Sequence, residues 1–207
     1  MSLGLAIPLF LLWVALVFFF HRYRIWLLYY LAGAAGLAYW LTYLCYQVFA
    51  VEPLLAQSVA WAVHQATGLF GVETRVFENA PGVLLVLVLT QRVGWTVLSV
   101  GVESSGLLEM VVLASLVAFY PGWNWQQRTG RALLGVMLTW VVNIVRMLLI
   151  SVMIHNWGKE ALVLAHTFAG KLIFFVLTVL IYWLLLTLPS LNTIERKISI
   201  RYRQADR

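Results

Sequence analysis

Long apolar runs alternate with short polar breaks along most of this chain. The first, Leu3 to Phe20, halts at His21-Arg22-Tyr23-Arg24, and the second runs from Ile25 to Phe49. Three more lie in the second half, at 105–120, 132–154 and 162–188. A hydrocarbon core of about 30 Å needs about 20 helical residues to cross, so these runs predict membrane-spanning helices. Within the second, Gly33, Ala34, Ala35 and Gly36 would let a neighbouring helix approach closely, a packing role.

Between the second and third runs the pattern changes. "LLAQSVAWAVHQATGLFG" has helical period, with Gln57, Ala60, His64 and Thr67 on one side and larger apolar residues elsewhere. That stripe predicts an interfacial or groove-lining helix rather than a lipid-facing span. Val72 to Val102 reads as β-like: its apolar core "VLLVLVLT" is too short to cross as a helix, and Pro81-Gly82 and "QRVG" supply turns around it. A small strand pair is expected there. The fold class is an all-α integral membrane protein of about five transmembrane helices, with an interfacial helix and a short extracellular β-like segment. No linker or repeat divides residues 1–207, which read as a single membrane domain.

Composition supports lipid as the solvent. Of 207 residues 63% are hydrophobic and only 11% charged, too few charges to cover so much apolar surface in water. The formal charge of +6 raises nucleic acid as a partner, but the basic residues sit in short flanks between apolar runs. That is the pattern of topology determinants and of contact with membrane lipids, so no nucleic-acid binding is expected. With five spans, "HRYR", Arg128, Arg131 and the basic tail 193–207 share one face, which the positive-inside rule makes cytoplasmic. Residues 50–104 are then extracytoplasmic, the amino terminus lies outside, and Glu52, Glu73, Glu78, Glu103 and Glu160 gather on that outer face of the plasma membrane. A crossing by residues 53–70 would split the basic flanks between faces. Cys45 alone excludes an internal disulfide framework and a multi-cysteine metal site. The first run lacks a basic n-region and a small-residue cleavage site, so it is expected to be a retained span.

Several polar groups conflict with this apolar background. "GVESSGLLEM" puts Ser104 at the outer end of the third span, and Arg146 lies eight residues inside Ile154 in "WVVNIVRMLLISVM". At about 1.5 Å per residue its backbone is roughly 12 Å deep, where an arginine costs on the order of 3 kcal/mol unless paired or solvated. It reads either as a snorkelling or salt-bridged structural residue or as a cation facing a polar cavity, with Asn143 one turn away able to fix its guanidinium. His166 opens "HTFAGKLIFF" at the outer end of the fifth span, and Lys171 a turn deeper can snorkel outward. Glu103 and Glu109 flank Ser104 and read equally as counter-ions of Arg146 or Lys171. A nucleophile position, an arginine and a histidine from three spans at one leaflet's depth make a set able to perform acyl transfer. The start of the third helix would add a positive dipole. His155, Glu160 and His166 lack a recognised ligand spacing, so neither a metal nor a cofactor is expected.

"ESSG" at Glu103 to Gly106, "NIVR" at Asn143 to Arg146 and "HTFAG" at His166 to Gly170, in that order, resemble the signature of the exosortase/archaeosortase family of membrane-embedded cysteine transpeptidases. That signature is Cys-Ser/Thr-Gly entering a span, Asn-x-x-Arg in a later one, and a histidine opening another. The opening "FFFHRYRIWLLYYLAGAAG" and the Glu before the triplet are most similar to the Gram-positive exosortase G branch. The resemblance covers about the last half of the chain. It implies cleavage near the carboxy terminus of an exported protein substrate carrying a C-terminal sorting signal, through a thioester resolved by an acceptor amine. It places Ser104, Arg146 and His166 in the catalytic positions, with Glu103, Glu109 and Asn143 around them.

The departure is Ser104 itself, which stands where the family has its cysteine. A hydroxyl ionises far less readily than a thiol and needs a neutral histidine as base. A Cys→Ser replacement that traps or stabilises the protein, a natural serine variant and an inactive paralogue all account for it, and the intact flanking signature favours the first. Cys45, in an apolar helix with no basic neighbour, reads as buried and inert. Two other functions remain open. One is a rhomboid-like intramembrane serine protease using Ser104 or Ser105 with Gly106 and His166. The other is a non-enzymatic membrane assembly factor in which Arg146 is structural.

Overall fold

A computed structural model of the chain describes residues 3–80, 82–89, 94–100, 102–189 and 191. Helix α1 (Leu3–Arg22) ends in a turn in which the Ile25 N–H donates to the Phe20 carbonyl at 3.0 Å and Arg24 takes a left-handed φ of 58°. α2 (Trp26–Gln47) and α3 (Val51–Leu69) follow. The antiparallel strands β1 (Thr74–Ala80), β2 (Gly82–Leu89) and β3 (Gly94–Val100) form a sheet in that order. A four-residue helix, α4 (Val102–Ser105), precedes α5 (Leu107–Phe119). α6 (Trp125–Trp157) is the longest helix. After a 3-10 turn at Lys159–Ala161 the chain stays helical to Thr187, with π-helical turns at Leu164–Ala169 and Trp183–Thr187 flanking α7 (Gly170–Tyr182).

Four helical segments are long and apolar enough to cross a membrane: Gly4–Arg22, Trp26–Gln47, Trp125–Trp157 and Lys159–Thr187. This is an α-helical membrane protein. The segment expected to span at 105–120 is shorter, since α5 begins only at Leu107 and has 13 residues. Its length of about 20 Å falls short of a hydrocarbon core of about 30 Å. Local chemistry sets both ends. Gly106 at φ 76° breaks the helix on one side, and Tyr120, extended ahead of Pro121, breaks it on the other. α6 starts two turns earlier than the apolar pattern indicates because Asn124 caps it: its Oδ1 accepts the Gln127 N–H at 2.8 Å while Gln127 Oε1 accepts the Asn124 N–H at 3.3 Å.

The β-like section makes three strands where a pair was expected. β1 alternates, with Thr74 buried and Val76 half-buried while Arg75 and Phe77 are exposed, and this period of two lets it pair with β2. The sheet covers one end of the bundle through α3. Ala56, Val59, Ala60 and Val63 of α3 pack with Met147, Ile150 and Ile154 of α6, and with Ala165, Val72 and Leu98. Of the small and polar stripe, Ala60 and Thr67 lie in this packing face and Gln57 and His64 are half-buried at its side, while Leu54 and Trp61 are exposed. His64 joins α3 to the sheet: Nδ1 lies 2.7 Å from Thr74 Oγ1, which is 3.0 Å from Thr67 Oγ1.

The helices approach where side chains are missing. The Phe119 ring fills the notch at Gly33, Trp13 fills the one at Gly36, and Leu113 lies against Gly135. Trp13 Nε1 also donates to the Ala32 carbonyl at 2.9 Å. Among apolar helices in lipid such close packing replaces the hydrophobic drive that acts in water. A second cluster of Leu113, Val117, Ile181 and Leu185 joins α5 to the last helix. At this end of the bundle Arg128 ties down the 120–125 loop, donating to the Ala118 carbonyl at 2.7 Å and the Trp123 carbonyl at 3.1 Å. Arg131 lies 3.8 Å above the Trp123 ring. The α1–α2 turn shares this loop end, as Tyr29 against Phe119 and Tyr30 against Tyr120 show. The sheet and the 157–161 turn occupy the other.

Candidate functional site

The site begins at a backbone break. Gly106 adopts φ 76°, a left-handed conformation, and it faces Asn143 so closely that an added Cβ would stand 3.4 Å from Asn143 Cγ. The left-handed φ is what favours glycine here, since a Cβ at 3.4 Å would make only ordinary contact. The break separates α4 from α5 and turns Ser104 and Ser105 inward, where they are 5% and 0% exposed. Asn143, on α6, donates from Nδ2 to the Ser104 carbonyl at 2.6 Å. Ser105 Oγ accepts the Leu107 N–H at 3.3 Å, capping the start of α5. The dipole of α5 is therefore met first by Ser105, and Ser104 sits on a separate turn rather than at the start of the span as expected.

Asn143 also departs from its expected role. Its amide N–H serves the Ser104 backbone rather than fixing the Arg146 guanidinium, and its Oδ1 is buried without a hydrogen-bond partner. Arg146, one turn further along α6, is 8% exposed, with its guanidinium 4.6 Å from the centre of the Phe174 ring. A cation over an aromatic face recovers part of the interaction energy that water would supply. Phe174 stands on α7, and no spacing in the sequence links it to Arg146. That residue was missed.

His166 is half-buried on the π-helical turn that precedes α7. Gly170 packs against Ile150, and Phe174 against Arg146 one turn below, so α6 and α7 run antiparallel in this register. Four residues separate Arg146 from Ile150 and four separate Gly170 from His166. The His166 backbone thus lies about 12 Å along the bundle from that of Arg146, toward the sheet end. The side chains of both must lean toward each other to share a substrate. π-helical turns widen the helix locally and are frequent at functional sites.

Of the flanking acids, Glu103 lies on the α4 backbone with its side chain outside the described residues, as does the basic tail expected at 193–207. Glu109 is half-buried on α5, one turn below Gly106. Its Oε2 is buried without a hydrogen-bond partner. Lys171, the other cation considered for these acids, is exposed. Among the described residues no three of His, Cys, Asp and Glu gather as metal ligands. His155, which the sequence grouped with Glu160 and His166, has a buried Nδ1 without a hydrogen-bond partner. No family model, no curated protein and no solved structure matches the chain.

Proposed function

We propose that this membrane protein is an exosortase-like transpeptidase or endopeptidase, with Ser104 in the nucleophile position and Arg146 and His166 as its partners. The observation that carries the reading is the 2.6 Å bond from Asn143 to the Ser104 carbonyl across Gly106. It joins "ESSG" to "NIVR", two motifs 39 residues apart, and holds the nucleophile segment one helical turn from a buried arginine. A merely structural arginine needs no such clamp on a neighbouring serine. In this reading α5 completes five crossings, the basic loop end is cytoplasmic, and the site opens to the outer side.

With cysteine at 104, the thiolate attacks the carbonyl carbon of the scissile peptide bond. Arg146 stabilises the negative charge that develops on the carbonyl oxygen. The C–N bond breaks, the leaving amine takes a proton from His166, and a thioester remains. An acceptor amine, on a lipid or glycan, then attacks that carbonyl and gives up a proton to His166, the C–S bond breaks, and the thiolate and the protonated histidine return. A serine in this place cannot be activated by Arg146 and His⁺ alone, so in this reading the chain as it stands is an inactive or trapped form.

Ser104→Cys tests the reading. The variant is expected to react with a thiol probe at 104 faster than an unpaired cysteine of ordinary pKa, and to process an exported substrate with a C-terminal sorting tail. Adding Arg146→Ala to Ser104→Cys should leave a folded protein that loses processing. Fluorophosphonate labelling of the unsubstituted chain at Ser104, with no gain on introducing cysteine, would replace this reading with an intramembrane serine protease.

A further inference from the structure

A second feature, at the loop end and independent of the chemistry at Ser104, has no role in the reading above. A groove of about 410 Å³ lies along α1, lined by Trp13, Val14, Val17, Phe18 and His21, with Tyr29 of α2. Its walls are rigid. Trp13 is locked into the Gly36 notch and bonded to Ala32, and the His21 ring is held against Trp26 and Tyr29 with centroids 5.8 and 5.2 Å apart. The groove is apolar along its length and polar at one end only, where His21 meets the α1–α2 turn.

That turn carries two exposed guanidinium groups, Arg22 and Arg24, and among the described residues nothing pairs with either. The other two arginines of this end are engaged, Arg128 by carbonyls and Arg131 by Trp123. Arg24 is also conformationally unusual. It holds φ 58° at the position after a helix end where glycine is preferred, with the Ile25 N–H closing onto Phe20. An arginine kept there against its backbone preference points to a use for its side chain.

We infer that this groove binds an anionic phospholipid, one acyl chain lying along Val14, Val17 and Phe18 and the headgroup phosphate meeting His21, Arg22 and Arg24. The charge complementarity selects the occupant: an uncharged apolar partner would leave the two guanidinium groups beside the groove unmatched, and a soluble anion would leave the groove unused.

The test uses the full chain purified in detergent, with melting temperature read against added dioleoyl phosphatidylglycerol or dioleoyl phosphatidylcholine. Two basic contacts predict a preference of about thirtyfold for the anionic lipid, seen as half-maximal shift at that much lower concentration. The double variant Arg22→Gln/Arg24→Gly should lose the preference. Glycine suits a left-handed backbone, so this variant should melt no lower than the parent without lipid, which separates lost binding from lost folding. Val17→Trp, which fills the groove, should abolish the response to both lipids, and Arg75→Gln, in the sheet, should change nothing. Inorganic phosphate should give no shift. Equal responses to the two lipids, or a preference that survives in Arg22→Gln/Arg24→Gly, overturns the assignment. A dimer in detergent that Val17→Trp dissociates also overturns it, because a second copy would then cover the groove.

Discussion

Replacing Gly106 by alanine probes the joint on which the site depends. An alanine Cβ there would stand 3.4 Å from Asn143 Cγ and 3.5 Å from both Cβ and Nδ2, ordinary contact rather than overlap. The steric cost is therefore small, and the main penalty is torsional: a residue with a Cβ at φ 76° loses about 1–2 kcal/mol relative to glycine. The backbone can relieve this by moving φ toward negative values and continuing α5 through 105, which pulls the Ser104 carbonyl off Asn143. A bond of this kind within a bundle is worth about 0.6 kcal/mol on average. The total expected loss is about 2 kcal/mol. Gly122→Ala is the control, because Gly122 has φ 88° in open space and carries the torsional cost alone. Both should lower stability in detergent by similar amounts, as measured by denaturant titration. Only Gly106→Ala, placed on the Ser104→Cys background, should change the thiol-labelling rate at 104, by tenfold or so if the clamp sets its environment. Equal labelling in the two glycine variants would refute the argument that the left-handed joint positions the nucleophile segment.

Two more outcomes test the packing around the site. Arg146 and Phe174 should show a coupling of about 0.5–2 kcal/mol in a double-mutant cycle of Arg146→Met and Phe174→Leu, read from unfolding in detergent; a coupling near zero would mean that the guanidinium owes nothing to the ring. His64→Ala should cost about 1 kcal/mol by leaving Thr74 with Thr67 alone, and should raise hydrogen exchange in β1 while leaving α5 unaffected.

The membrane class, the small-residue packing stretch and the basic flanks were legible because each is a property of composition and spacing along one line. Lipid admits few backbone solutions, so a long apolar run states its fate directly. The boundaries were less legible. The start of α5 is set by a glycine's handedness, its end by the extended residue before Pro121, and the start of α6 by a capping pair, each a signal confined to a few residues. α3 shows a subtler loss. Its stripe of small and polar residues was plain, but whether that stripe faces headgroups or another helix depends on which surface arrives opposite it, here α6 and the sheet.

For the site, sequence order alone singled out Ser104, Asn143, Arg146 and His166, because ionisable and amide groups in apolar helices are costly enough to stand out. What each one touches depended on the tertiary structure. Asn143 was expected to serve Arg146 on its own helix, yet it reaches across to the Ser104 carbonyl, since Gly106 brings that backbone within bonding distance. Arg146 instead meets Phe174, whose identity as a partner follows from the register of α6 against α7. Hydropathy and residue chemistry are carried by the residues one at a time, and so the chain alone determines them. Partnership is a relation between surfaces, settled by where helices break, which notches receive which rings, and the register in which the helices then lock.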